Sequence, residues 1–94
     1  MSNSVSTLAP VVIYTSGFCP YCGWARRMLS DKGVDYQEIR VDRDPDQRAV
    51  MESRSGRTSV PQIFVGDFHV GGYDDMAAMD RAGRLDPLLG LSEA

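Results

Sequence analysis

The first hydrophobic cluster, Val11-Val12-Ile13-Tyr14-Thr15, is an unbroken β-branched and aromatic run with the length of a strand buried on both faces. Ser16, Gly17 and Phe18 then make a turn, and from Pro20 the period becomes helical. Pro20 suits a first-turn position, while Cys22, Ala25, Met28 and Leu29 recur at three- and four-residue spacing and so share one face. Gly33 is expected to cap this helix. Val34 to Val41 alternates, with Tyr36, Ile39 and Val41 as its apolar members, which predicts a second strand in its middle. Asp44-Pro45-Asp46 opens a second helix: Asp44 accepts from free amides, Pro45 fits the first position and Asp46 complements the dipole. Ala49, Val50 and Met51 lie inside it and Gly56 closes it. Val60-Pro61-Gln62-Ile63-Phe64-Val65, the turn Gly66-Asp67 and Phe68-His69-Val70 read as a hairpin, broken by Gly71-Gly72. Asp74 is the expected N-cap of a third helix carrying Met76, Met79 and Ala82, and Leu85, Leu88 and Leu89 finish the chain.

The order βαβαββα describes a small four-stranded mixed sheet flanked by helices, an α/β chain of thioredoxin-like arrangement. A total of 94 residues, 43% hydrophobic, is enough for one domain with a modest core. That domain is assigned to residues 11–91, with residues 1–10 a disordered Ser/Thr-rich lead and 92–94 a tail. The formal net charge is −3 and the ten basic residues are spread among acids, which argues against nucleic-acid or anionic-membrane partners. No run approaches the roughly 18 apolar residues of a membrane span, and residues 1–10 lack the basic and apolar regions of a signal peptide, so a cytoplasmic location is expected.

Chemistry enters with Cys19-Pro20-Tyr21-Cys22, which holds both cysteines and lies where the strand pattern gives way to the helical one. At a helix N-terminus, unpaired amides and the dipole favour a thiolate on Cys19. Spacing of i, i+3 brings both sulfurs to one face within bridging distance. A closed metal site needs about four ligands, and the chain offers no second Cys pair and one histidine, His69, far along the sequence, so no metal is expected. A structural disulfide closing so short a loop would restrain the unfolded chain little. A redox dithiol is the reading these residues favour over metal or inert thiols. His69, without a ligand or nucleophile beside it in sequence, is read as structural.

Three separated segments, Cys19-Pro20-Tyr21-Cys22, Ser59-Val60-Pro61-Gln62-Ile63-Phe64 and Gly71-Gly72-Tyr73-Asp74-Asp75, together resemble the dithiol class of the glutaredoxin family over Val11 to Leu89. Leu85-Asp86-Pro87-Leu88-Leu89 resembles the tail of small bacterial members. The resemblance implies a glutathione-dependent thiol–disulfide oxidoreductase. Cys19 would open glutathione mixed disulfides by a monothiol route, and Cys22 would resolve protein disulfides by a dithiol route. It also implies a cis Pro61 that presents the backbone of Val60 to extended glutathione, with Ser59 standing where threonine is usual. Gly72, Tyr73, Asp74 and Asp75 would meet the γ-glutamyl end, through free amides and a carboxylate for its ammonium. Tyr21 would line the groove, and Arg48 would meet the glycyl carboxylate.

Two positions depart from that pattern. Ser16 replaces a lysine common in relatives, so Cys19 is expected to depend more on the helix N-terminus and on Arg26 or Arg27. Trp24 stands where a charged residue is common, either as a partner-facing patch or as helix packing. Two other activities compete with this reading: a thioredoxin-type reductase, and a dimer holding a [2Fe–2S] cluster through Cys19 and bound glutathione. The monomer is the default, with glutathione and disulfide-bearing proteins as partners.

Overall fold

A computed structural model describes residues 9–91, so the proposed tail and most of the proposed lead lie outside the described residues. The elements run β1 (Val11–Thr15), α1 (Pro20–Asp31), β2 (Gln37–Arg40), α2 (Pro45–Ser55), β3 (Gln62–Val65), β4 (Phe68–Gly71), α3 (Tyr73–Arg81) and α4 (Leu85–Leu88). One sheet holds the four strands in the order β2-β1-β3-β4, with β1 parallel to β2 and antiparallel to β3, and β3 antiparallel to β4. This is the mixed sheet expected of the strand and helix order.

Because β1 is central, both of its faces must be covered. Val11 and Ile13 point to one side, where they pack with Ile63 and Val65 against Ala25 and Leu29 of α1, Met76 of α3 and Leu85 of α4. Tyr14 points to the other, joining Phe64, Val41 and Met51 of α2. The period of two along β1 therefore serves two separate cores. Tyr14 meets Phe64 edge-on at 5.8 Å, and the phenol oxygen accepts from Arg54 Nη1 at 3.1 Å.

The helix boundaries follow local signals. Asp44 accepts from the Gln47 amide at 3.2 Å and Pro45 takes the first position of α2. At the end of α1 the Gly33 amide donates to Ser30 and the Val34 amide to Leu29, a closure that needs a left-handed residue and finds it in Gly33 at φ 75°. Lys32 then reaches from this end to Asp80 and Asp86, at 2.6 and 2.7 Å, and so ties α1 to α3 and α4.

Two elements differ from the sequence expectation. α3 begins one residue before Asp74, with Gly72 at the N-cap position, so Asp74 is inside the first turn and does not cap. Asp75 performs half of a capping box instead, its Oδ2 accepting from the Gly72 amide at 2.9 Å. The second difference is α4: Leu85-Asp86-Pro87-Leu88 forms a helical turn. Pro87 occupies its third position, where a backbone N–H has no intrahelical acceptor, so proline does not break it.

Leu29 is wholly buried between α1 and the sheet. Leu29→Ala should lower unfolding free energy by about 2–5 kcal/mol, read from the shift in denaturant midpoint. A loss under about 0.5 kcal/mol, the size of a surface effect, would contradict this packing.

Candidate active site

Four residues after β1, Cys19 sits at the N-cap of α1 with extended backbone, and Pro20 takes the first helical position. The loop that delivers it is pinned from β2. Asp42 Oδ2 accepts from the Gly17 amide at 3.1 Å, and Arg40 grips both Asp42 oxygens at 2.8 and 2.7 Å. A side chain at Gly17 would meet the Arg40 guanidinium and displace it. The Arg40 fork, with the Gly17 amide also donating, holds the Asp42 carboxyl down at about 2.

Cys19 and Cys22 are joined as a disulfide with Cα atoms 5.2 Å apart. The bond is asymmetric in access: Cys22 is completely buried, whereas Cys19 is partly exposed. Cys19 Sγ accepts from the Cys22 amide at 3.1 Å, a donor already in place for a thiolate once the bond opens. Val60 O lies 3.8 Å from the same sulfur, which carries no hydrogen in the disulfide, so this is a contact and not a hydrogen bond. Phe18, fully exposed, stands beside Cys19.

Next to Cys19 runs a shallow cleft of about 200 Å³ lined by Tyr21, Ser59, Val60, Pro61, Gly72, Tyr73, Asp74 and Asp75, together with Arg57. The Val60–Pro61 bond is cis. Its volume is below the roughly 300–1,000 Å³ of a pocket that engulfs its ligand. Eight of the nine non-cysteine residues singled out in the sequence thus converge here. Arg48 is the exception: it donates to the Thr58 carbonyl at 3.0 Å, pairs with Glu52 at 3.2 Å and does not line the cleft.

Sequence reasoning missed Arg57. It lines the cleft and donates to Asp75 Oδ2 at 3.0 Å. Its position two residues before Ser59 was the available signal, but only the packing of β3 beside α3 shows that it faces the site. Asp75 is held ionised by the Gly72 amide first and by Arg57 second. Asp74, the other carboxylate lining the cleft, has no ion pair among the described residues. Gly71 is obligatory here, with φ at 113° and any side chain driven into the Asp75 carboxylate.

Of the two cations expected near Cys19, one is engaged by a carboxylate and the other lines a different hollow. Arg26 pairs with Glu38 at 3.0 Å, and the same carboxylate oxygen accepts from the buried Thr15 hydroxyl at 2.6 Å. Arg27 lines a separate hollow of about 390 Å³ with Trp24, Met28, Asp31, Lys32, Tyr73 and Asp80. That hollow is larger than the cleft, but it shares only Tyr73 with it and lies off the sulfurs. Trp24 packs edge-on against Tyr21 at 5.0 Å and near Tyr73 at 5.8 Å, so it is part of an aromatic wall while remaining half-exposed. No cluster of three or more His, Cys, Asp or Glu residues with metal-binding geometry occurs among the described residues, and no helix there is long and apolar enough to cross a membrane.

A Cys-x-x-Cys disulfide at a helix N-terminus, facing a cis-proline across the carboxyl edge of a mixed sheet, defines a thioredoxin-fold dithiol protein. Comparison with known proteins narrows the class. The glutaredoxin family model matches residues 11–70. A glutaredoxin of Pseudomonas aeruginosa is 54% identical over 82 residues, covering 87% of this chain and 98% of that protein. Glutaredoxin 3 of Escherichia coli K12 is 52% identical over 82 residues, covering 87% and 99%. Among solved structures, the buckwheat glutaredoxin–glutathione complex superposes with a TM-score of 0.80 at 30% identity, covering 87% of this chain and 77% of that one. The chain belongs to the glutaredoxin family and is a thiol–disulfide oxidoreductase.

Asp42 generates a pH prediction. Its folded-state pKa of about 2 is below the ordinary 3.8, so its stabilising contribution is present above 3.8 and disappears as pH falls through about 2. Carboxyl NMR should give that midpoint. In Asp42→Asn the Gly17 amide should exchange faster, and a midpoint near 4 in the parent protein would refute the clamp.

Proposed function

We propose that this protein reduces glutathione mixed disulfides and protein disulfides, with glutathione as the electron donor. The observation that carries the reading is the Cys19 sulfur 3.8 Å from the carbonyl of Val60, a residue that lines the cleft, with Cys19 partly exposed and Cys22 completely buried.

In the monothiol route, the Cys19 thiolate attacks the glutathione sulfur of a mixed disulfide. The sulfur–sulfur bond breaks, the substrate thiolate leaves and takes a proton, and Cys19 becomes glutathionylated. A second glutathione, as thiolate, attacks that adduct; oxidised glutathione leaves and Cys19 is regenerated. In the dithiol route, Cys19 forms the mixed disulfide with a protein substrate and Cys22 displaces the reduced product, leaving the observed Cys19–Cys22 bond. Two glutathione molecules then reduce it and depart as oxidised glutathione. Burial suits Cys22 to this second role, since only a partner already attached to Cys19 comes within its reach.

The tripeptide would lie extended beside Ser59, Val60 and Pro61, against Tyr21, pairing with the Val60 backbone. Its γ-glutamyl carboxylate would meet the amides at the start of α3, beside Gly72 and Tyr73, and its ammonium the Asp74 side chain, with Asp75 holding the turn. Among the described residues Arg57 is the one cation lining the cleft, and a peptide carboxylate would draw on it. It takes the role that the resemblance suggested for Arg48. The protein would work as a monomer in the reducing cytoplasm, on thiol partners and not on nucleic acid or membranes.

The first test is turnover of a small glutathione mixed disulfide, recycled by glutathione reductase and NADPH. Cys22→Ser should retain this activity and lose most protein-disulfide reduction, whereas Cys19→Ser should lose both. Retention of either by the Cys19 variant would overturn the assignment. For recognition, Arg57→Ala should raise the apparent KM for glutathionylated substrate about 10-fold, the scale of one charge-assisted contact, while Arg48→Ala should stay within about 2-fold. The reverse ranking would return the carboxylate to Arg48.

A further inference from the structure

His69 and Gln62 have no part in the chemistry above, yet they form a connected set leading to it. Gln62 is a fully buried polar residue immediately after Pro61, so its carboxamide must find partners inside the protein. Its Nε2 donates to the Ser59 carbonyl at 3.1 Å and lies 3.3 Å from the Ser59 hydroxyl oxygen, while Oε1 lies 2.7 Å from His69 Nε2. The Ser59 carbonyl can only accept, which fixes the amide with its NH2 toward Ser59 and its oxygen toward His69. That oxygen also can only accept, so His69 Nε2 carries the proton.

His69 is itself held. Its ring stacks on Phe64 at 4.8 Å with 23° between planes, and Phe64 is its partner in the β3–β4 ladder. Burial first, and Arg57 second, push the imidazole toward its neutral form, with Asp75 opposing and Arg54 adding to the effect. The order of attachment runs from Phe64 through His69 and Gln62 to Ser59, whose neighbour Val60 touches Cys19.

We infer that His69 and Gln62 are positioning residues: the relay His69 Nε2–H to Gln62 Oε1, and Gln62 Nε2–H to the Ser59 carbonyl, sets the placement of the Val60 backbone against the Cys19 sulfur. The Ser59-Val60 segment has no strand partner of its own, as β3 begins only at Gln62. Without the relay it would be tethered through Pro61 alone on its C-terminal side. The functional part of this inference rests on the proposal that glutathione lies along Val60; the structural part does not.

The experiment compares the parent protein with His69→Leu, which removes the donor, and His69→Gln, which keeps an N–H at similar reach. In the glutathione mixed-disulfide assay, His69→Leu should raise KM about 5- to 10-fold, the loss of one net hydrogen bond, with kcat changed less than about 2-fold. His69→Gln should recover most of that KM, and the pH profile of Cys19 alkylation should be the same in all three. An unchanged KM in His69→Leu, or equal damage in both variants, overturns the inference. Absence of turnover in the parent protein would instead overturn the glutathione reading. The relay is then judged without ligand, by nitrogen NMR of the parent imidazole and amide exchange at Ser59 and Val60. An Nε2–H tautomer with faster exchange in His69→Leu supports it, and an Nδ1–H tautomer or unaltered exchange sinks it.

Discussion

Burial of β1 on both faces is the constraint from which the rest of this molecule follows. Ile13 and Tyr14 are neighbours in sequence, yet they belong to different cores, one under α1, α3 and α4 and the other under α2. A strand that must be covered twice has to sit in the middle of a sheet, and its continuation must leave at an edge. That edge is where Cys19 stands, four residues past Thr15. The Cys19 sulfur thus lies at the rim of the two buried clusters that flank β1.

Around that rim the polar contacts divide their labour. Asp42 and Arg40 hold the approach loop, Glu38 collects Thr15 and Arg26, and Asp75 closes the start of α3 while engaging Arg57. Each is a short network at the carboxyl end of a strand or the amino end of a helix, where backbone groups lack regular partners. Close to Cys19 the Cys22 amide donates to its sulfur, while Arg26 is committed to Glu38 and Arg27 lines a separate hollow.

Much of the fold was legible because its signals are local. The β-branched run of β1, Asp44-Pro45 opening α2, and Gly33 after α1 each act through one or two turns of backbone, and each appears in the structure where the pattern put it. The errors also have local causes with distant resolution. Asp74 looks like a cap, but the cap position falls to Gly72 because the strand before it ends at Gly71 and Asp75 closes back on Gly72. The sequence pattern assigns the closing leucines no element, and burial of Leu85 and Leu89 against the main core accompanies a helical turn there. The aromatic wall of Tyr21, Trp24 and Tyr73 likewise joins α1 to α3, and no periodicity within α1 reveals it.

By itself the sequence determined the strand and helix order, the pairing of Cys19 with Cys22 at a helix start and the family to which the chain belongs. These rest on spacing along the backbone, which composition and period encode directly. Tertiary structure alone decided which of two cysteines is accessible, that Arg57 and not Arg48 faces the cleft, and that His69 reaches Ser59 through Gln62. Those outcomes depend on how separate elements pack in three dimensions, and in particular on β3 lying between β1 and β4, which brings residues distant in sequence within hydrogen-bonding reach.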